Sequence, residues 1–301
     1  MKLTNRLNLP QPLVDAVKND GYSSGGADIS VTTLLKPPRM VALEKQHKDE
    51  IEEDVSTRIW SLMGQVVHGI LERASNTGVA ERRLSINVEG WSVSGSMDRY
   101  IDGLLQDYKV VTAYKFKDGG VPIEYEQQLN VYAEILQQHG HPVNRMEIVG
   151  ILRDWSKLEA RRDANYPQTQ VIVRQVPFWT REITQKFIRE RVILHKQARI
   201  TLPECSDEDR WARPTKYAVM REGQARAVKL FDVQSEAKDY ANQGKNLKVE
   251  TRPGELVRCA NYCNVAPFCD QFKKEVKDEV DGRNQPVAKP AGSLRSAGKA
   301  S

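Results

Sequence analysis

GSMDRYIDGLLQDYKVVT, residues 95–112, holds the dipeptide Asp102-Gly103 between two runs that alternate in the manner of strands. Asp-Gly supplies the positive φ angles that a two-residue hairpin loop demands, so the two runs fold back on each other. With those residues as the loop, Ile101 faces Leu104, and the register carried outward sets Asp98 opposite Asp107. Carboxylates so paired have Cβ atoms about 4.5–5.5 Å apart on one face, and they repel unless positive charge lies between them. A divalent cation meets that demand, and hard oxygen ligands suit Mg2+ or Mn2+. Lys109, two residues beyond Asp107, projects from the same face by strand alternation, placed to orient a water or to stabilise charge on a phosphate. A Lewis acid, an activated water and a nearby positive group are the parts that phosphodiester hydrolysis needs. The residues also read as a polar hairpin with solvated acids, because Asp-x-Lys alone is a common tripeptide.

Upstream, Trp60, Met63, Val67, Ile70 and Leu71 recur at helical spacing and predict an amphipathic helix over about 40–75. In GQVVHGILE, residues 64–72, Gly64, His68 and Glu72 stand at four-residue intervals, on one face of that helix. A Gly-Ser turn at 23–26 and the Pro37-Pro38 pair precede it, and the prolines should stop any helix begun near Val31. Residues 81–112 alternate as strands, and 123–138 returns to helical spacing with Gln128 and Tyr132 on one face. RMEIVGIL (145–152) and 169–176 read as further strands and 182–199 as a long charged helix. The predicted core is a mixed sheet flanked by helices. His68 and Tyr132 also have bland readings, as a packed histidine and an ordinary core aromatic.

The order of these pieces is informative as a set. A His in a Gly-x-x-x-His helix, an Asp after Gly-x-x-Asp, Asp-x-Lys on the next strand and Gln-x-x-x-Tyr on a helix resemble the RecB-like branch of the PD-(D/E)XK nucleases, over about residues 30–140. That resemblance implies a restriction-endonuclease-like α/β core and a metal-dependent DNA exonuclease of phage-type recombination or DNA end processing. It implies His68, Asp98, Asp107 and the Val110 main-chain carbonyl as metal ligands, Lys109 as the catalytic lysine, and Gln128 and Tyr132 as residues that position DNA. Glu72 and Glu81 would support the site. DNA, and a phage recombinase or single-strand annealing protein, are the implied partners. The Asp98-to-Asp107 interval is tighter than is usual in that branch, and the Asp-Gly turn accounts for it. Two rival functions remain: a structure-specific endonuclease or flap cutter, and an iron–sulfur DNA-binding module without activity.

Of four cysteines, Cys205 stands alone and Cys259, Cys263 and Cys269 crowd into RCANYCNVAPFC, residues 258–269. Three close thiols and one distant thiol make a four-ligand set, for which thiolates favour zinc or an iron–sulfur cluster; unligated buried thiols are the third reading. The resemblance implies a [4Fe-4S] cluster, although in such relatives the distant cysteine usually precedes the nuclease core.

Between Cys205 and the other three, residues 217–220 and 225–231 read as strands around an Arg-Glu-Gly turn, followed by a short helix from Ser235 and a strand at 247–250. Lys216, Arg221, Arg226 and Lys229, interleaved with Tyr217 and Phe231, suit phosphate contact and base stacking, or an ordinary solvated hairpin. Arg153, Arg161 and Arg162 carry the same two readings. The expected division is a core over 1–202, a cysteine-ligated lobe over 203–279 with the ββα insert, and a disordered tail over 280–301 rich in Pro, Gly, Ser, Ala and Lys. With 45 Lys and Arg against 40 Asp and Glu, the net charge of +5 is modest, so an acidic partner follows only where the excess clusters. The N-terminus has no continuous apolar segment and no stretch reaches the length of a membrane span, so a cytoplasmic location in a bacterial or phage-infected cell is expected, with no membrane partner.

Overall fold

The computed structural model describes residues 2–19, 25–74, 83–117 and 119–276; the expected role of Glu81 and the expected 280–301 tail fall outside them. The chain starts with strand β1 (Lys2–Thr4), helix α1 (Gln11–Lys18), strand β2 (Ile29–Ser30) and a single turn of helix, α2 (Val31–Leu34). The proline pair does stop the segment begun at Val31, and it also starts the next one: Pro37 is the cap and Pro38 the first residue of α3 (Pro38–Gln46). A first helical residue has no use for its N–H, so proline is well placed there.

The single helix expected over 40–75 is corrected to two, α3 and α4 (Val55–Ala74), separated by β3 (Glu52–Asp54), which pairs in parallel with β1. The break has two causes. Ile51 is 4% exposed and held in a packed cluster, and Asp54 Oδ1 accepts from the Ser56 N–H and hydroxyl at 3.1 and 2.6 Å, capping the new helix.

Residues 83–111 form β4 (Arg83–Val88), β5 (Trp91–Ser96), β6 (Arg99–Ile101) and β7 (Leu104–Val111), as the alternation predicts. A turn of 3-10 helix (Ala113–Phe116) leads to α5 (Ile123–Gln138), then come β8 (Arg145–Leu152), α6 (Lys157–Arg162), β9 (Val171–Gln175) and α7 (Arg181–Gln197). Beyond them lie α8 (Asp207–Arg210), β10 (Ala212–Arg213), β11 (Lys216–Arg221), β12 (Ala227–Phe231), α9 (Gln234–Asn242), β13 (Leu247–Arg252), β14 (Glu255–Leu256) and α10 (Val257–Asn261).

The fold is mixed α/β. A four-stranded mixed sheet has the order β6-β7-β8-β9, with β7 and β8 parallel and the other pairs antiparallel. A three-stranded sheet, β2-β5-β4, adjoins it in the chain, because β5 and β6 are separated by only Met97 and Asp98. Asp102 and Gly103 take φ of 48° and 80°, the signature of the type I′ turn, and fix Ile101 against Leu104.

Buried α5 packs its Leu129, Tyr132, Ile135 and Leu136 into the main core with Leu105 of β7, Met146 and Ile148 of β8, and Ile188 and Val192 of α7. A second cluster joins Leu43 and Ile51 to Val265 and Cys269, so α3 packs on the cysteine segment. The β12-β11-β13 sheet carries α9, whose Tyr240 ring meets that of Phe231 at 5.5 Å. Among the described residues no helix is long and apolar enough to cross a membrane.

Two groups of α7 secure the end of α2. Arg191 Nε and His195 Nε2 lie 2.9 and 3.0 Å from the Leu34 carbonyl, so His195 serves as donor through Nε2–H. Burial holds its pKa down at about 4, against an ordinary 6.5. The unfolded chain therefore takes up this proton first as acid is added, and stability present above about pH 6.5 is lost as the pH falls towards 4. We expect about 3 kcal/mol from this group at neutral pH, and denaturant titrations of the native chain and of His195→Gln should converge as the pH drops across that window. A gap that stays constant from pH 7.5 to 4.5 would show that the histidine is not the titrating group.

Candidate active site

The β6–β7 ladder runs through Ile101–Leu104, Tyr100–Leu105 and Arg99–Gln106 and stops there. The direct pairing of Asp98 with Asp107 expected from the register is therefore corrected: β6 ends one residue short of it. Asp98 reaches past the position instead. Its Oδ2 accepts the Tyr108 N–H at 2.7 Å and its Oδ1 lies 3.2 Å from His68 Nδ1 on α4. A side chain thus replaces the missing strand partner and ties α4 to the sheet edge. The histidine pKa is raised by that hydrogen bond, against the opposing effect of burial.

Asp107 is 2% exposed. Burial pushes its carboxyl pKa up, Lys109 opposes the shift, and nearby Asp98 adds to it. Lys109 Nζ sits 2.6 Å from Asp107 Oδ2 and donates to Gln128 Oε1 at 2.9 Å. Asp107 Oδ2 is buried, and the Lys109 ammonium is its partner. Gln128 Nε2 in turn donates to the Tyr132 hydroxyl at 2.9 Å. Both α5 residues are buried, so Lys109 is held by a relay that starts inside the core. Tyr125 adds its ring, whose centre is 5.3 Å from Lys109 Nζ.

Val110 completes the edge through its backbone. The Val111 carbonyl accepts from Arg153 N–H on the β8 side, and carbonyls alternate along a strand, so the Val110 carbonyl points the other way, to the side where Tyr108 N–H meets Asp98. His68, Asp98, Asp107, Lys109, Val110, Gln128 and Tyr132 are thus gathered at one sheet edge. Glu72 is exposed on the last turn of α4. Gly95, in the β5 strand, gives room for the relay: a Cβ there would stand 2.7 Å from Tyr132 Cε1.

The donor set is two carboxylates, an imidazole and a main-chain carbonyl, which suits a hard divalent cation. Among the described residues, no three His, Cys, Asp or Glu side chains already converge in a metal-binding arrangement. In its place the two carboxylates are balanced by Lys109 and His68.

Cys205, Cys259, Cys263 and Cys269 are free thiols that line one pocket with Arg39, Arg210, Met40 and Phe272. Burial pushes the Cys205 thiol up to about 12 and Cys259 up to about 11, and Cys263 rises for the same reason; neighbouring thiols add to each shift. The four thiols line one space without three of them meeting at a common point; sulfur donors favour a soft metal over a hard one. Arg39 is the residue of this pocket that sequence reading missed. It is 4% exposed, donates from Nε to Cys269 Sγ at 3.3 Å and from NH1 to the Pro203 carbonyl at 3.1 Å, and pairs with Asp270. The only local signal was its place directly after Pro37-Pro38.

The basic residues of the insert do not form one patch. Lys229 stands opposite Val219, whereas Lys216 lies three residues earlier on β11 and so on the other face by alternation. Lys216 is paired with Asp232, and Lys229 lies over the rings of Phe231 and Tyr240 at 4.8 and 5.2 Å. Arg226 is exposed between β11 and β12.

No protein-family model matches the chain and no curated protein matches it in sequence. Among solved structures, SSO0001 is similar at 17% identity and TM-score 0.43, covering 61% of this chain and 84% of that one. The protein named "Putative exonuclease" from Eubacterium rectale is similar at 16% identity and TM-score 0.31, covering 58% of this chain and 68% of that one.

The close approach at Gly95 yields a structural prediction. Gly95→Ala should destabilise the fold by about 1–3 kcal/mol through overpacking against Tyr132, and the double variant Gly95→Ala/Tyr132→Leu should lose less than the sum of the single changes in denaturant titrations. Strict additivity would mean that the glycine is not there for the ring.

Proposed function

We propose that the chain is a metal-dependent deoxyribonuclease acting on DNA ends, of the RecB-like PD-(D/E)XK kind. The observation that carries this reading is the buried Asp107 carboxylate, beside Asp98 and ion-paired to a lysine held in place by Gln128. In this reading Asp98, Asp107, His68 and the Val110 carbonyl hold Mg2+ or Mn2+. The ion, when bound, supplies the Lewis acid and lowers the pKa of a water. Lys109 orients that water and stabilises charge on the attacked phosphate, in a site that Asp107's burial makes poor in solvent. Gln128 and Tyr132 keep the lysine aimed, which is their contribution whether or not they also touch DNA. The thiol pocket holds a [4Fe-4S] cluster, with zinc as the other occupant of the same chemistry, and staples the cysteine segment to α3 and to residues 202–205. The insert, with Arg226, Lys216 and Lys229 divided between its faces, contributes scattered phosphate contacts.

End-labelled linear and circular DNA incubated with anaerobically purified protein tests this directly. Cleavage of the linear form is expected with Mn2+ and none after chelation, and Asp107→Asn and Lys109→Ala should each lower turnover by about a hundredfold or more. Wild-type turnover in either variant would remove the assigned centre. For the thiols, Cys263→Ala should lose bound metal and lower the melting temperature. Freshly prepared native protein that contains neither iron nor zinc would end that part of the proposal.

A further inference from the structure

α4 runs beside the bare edge of β7 in the opposite direction. His68 meets Asp98 and has its ring edge-on to Tyr108 at 6.5 Å. Eight residues earlier on α4, Trp60 meets Arg153, whose guanidinium lies 4.1 Å from the centre of the indole ring. Arg153 is fixed at the far end of β7: its N–H donates to the Val111 carbonyl at 3.0 Å, and the next residue, Asp154, accepts the Ala113 N–H at 2.7 Å. Between the two ends lies Gly64, in the same helical row as Trp60 and His68, where an added Cβ would meet nothing within 4 Å. The space along this row is open. It leads from Trp60 and Arg153 to Asp98 over about 12 Å, at 1.5 Å of rise per helical residue.

Trp60 is 53% exposed although it is the largest apolar side chain of α4. Arg153 covers part of the ring, sets its orientation and brings a positive charge to it. An oriented, half-open indole beside a guanidinium is the chemistry that stacks a nucleobase and holds its phosphate. Bases inside a duplex already stack on their neighbours, so a side chain reaches a base face only where the strand is unpaired or ends. A distance of about 12 Å corresponds to a few nucleotides, at about 3.4 Å each when stacked and more when splayed.

We infer that Trp60 and Arg153 form a stacking site for a base of an unpaired DNA strand, a few nucleotides from the carboxylates, with the strand lying along Gly64 between α4 and β7. This rests on the nuclease reading for its direction towards Asp98 and Asp107, but the stacking itself can be measured without cleavage.

The test uses the full-length protein, chelator-treated so that DNA stays intact, and a labelled short oligothymidylate at fixed salt. Trp60→Ala is expected to weaken binding about tenfold or more, Trp60→Phe to weaken it less, and Arg153→Gln to weaken it while reducing the salt dependence. Oligonucleotides carrying one abasic residue at successive positions are then compared. At one position the abasic residue should weaken native protein as much as Trp60→Ala does, and should cost the Trp60→Ala variant nothing further. Binding by Trp60→Ala within about twofold of native, or abasic losses that add to the variant's loss at every position, would overturn the proposal. The abasic scan on native protein needs no substitution, so it is independent of how the variants fold. Cleavage with Mn2+ in the absence of this coupling would leave the nuclease reading standing and the stacking site refuted. The coupling without cleavage would do the reverse.

Discussion

The early end of the β6–β7 ladder governs the rest of the site. After Arg99 and Gln106 the two strands part, and the Asp98 carboxylate takes over the Tyr108 N–H that the next strand residue would have bound. Had the pairing continued, Asp98 and Asp107 would have faced each other directly as like charges. The parting trades that repulsion for a charge-assisted hydrogen bond, a class that contributes about 1.5–3 kcal/mol, and for a second contact to His68. It also leaves one edge of β7 without a strand neighbour, and that edge is where α4 lies and where the Val110 carbonyl faces. Everything gathered there depends on a two-residue turn fixing which side chains point which way.

The parts legible in the sequence are those set by local rules. Asp102-Gly103 permits one tight turn, so the register near it follows. The strand over 145–152 and the helix over 123–138 have clear periods and appear with the same limits. What was not legible arises from partners distant in sequence. Nothing near Asp54 in the chain shows that Ile51 will be packed against Val265 and Cys269, yet that burial is why one expected helix is two. Met63 and Ile70 keep helical spacing, but the helix turns them outward, because its inward rows are spent on the sheet edge and on α1. Lys216 and Lys229 look like neighbours in composition and fall on opposite faces once the strand register is known. Asp98 was placed at the correct edge and one step from its actual partner.

The thiol pocket and the carboxylate site place charge by opposite means. At the sheet edge, buried and half-buried acids have partners brought to them: the Lys109 ammonium from the same strand and the His68 imidazole from a helix. In the thiol pocket, buried and half-buried thiols gather and Arg39 comes in from a helix that belongs, by chain order, to the other end of the molecule. An arginine cannot discharge, so its burial is tolerable only while Cys269, the Pro203 carbonyl and Asp270 meet its donors.

That contact between Arg39 and Cys269 also sets the order in which the chain can consolidate. The two residues are 230 positions apart, and the cluster of Leu43, Ile51, Val265 and Cys269 brings together the same two ends of the chain. Loop-closure entropy rises with such separations, and contacts of this range form late. The hairpin at Asp102-Gly103 and the β7–α5–β8 unit draw on neighbours close in sequence and can form while the chain is still being synthesised. α3 can pack on α7 earlier, but its Arg39 and Leu43 have to wait for the last cysteine. Until that contact forms, Leu43 and Ile51 lack the cysteine segment that covers them in the folded chain.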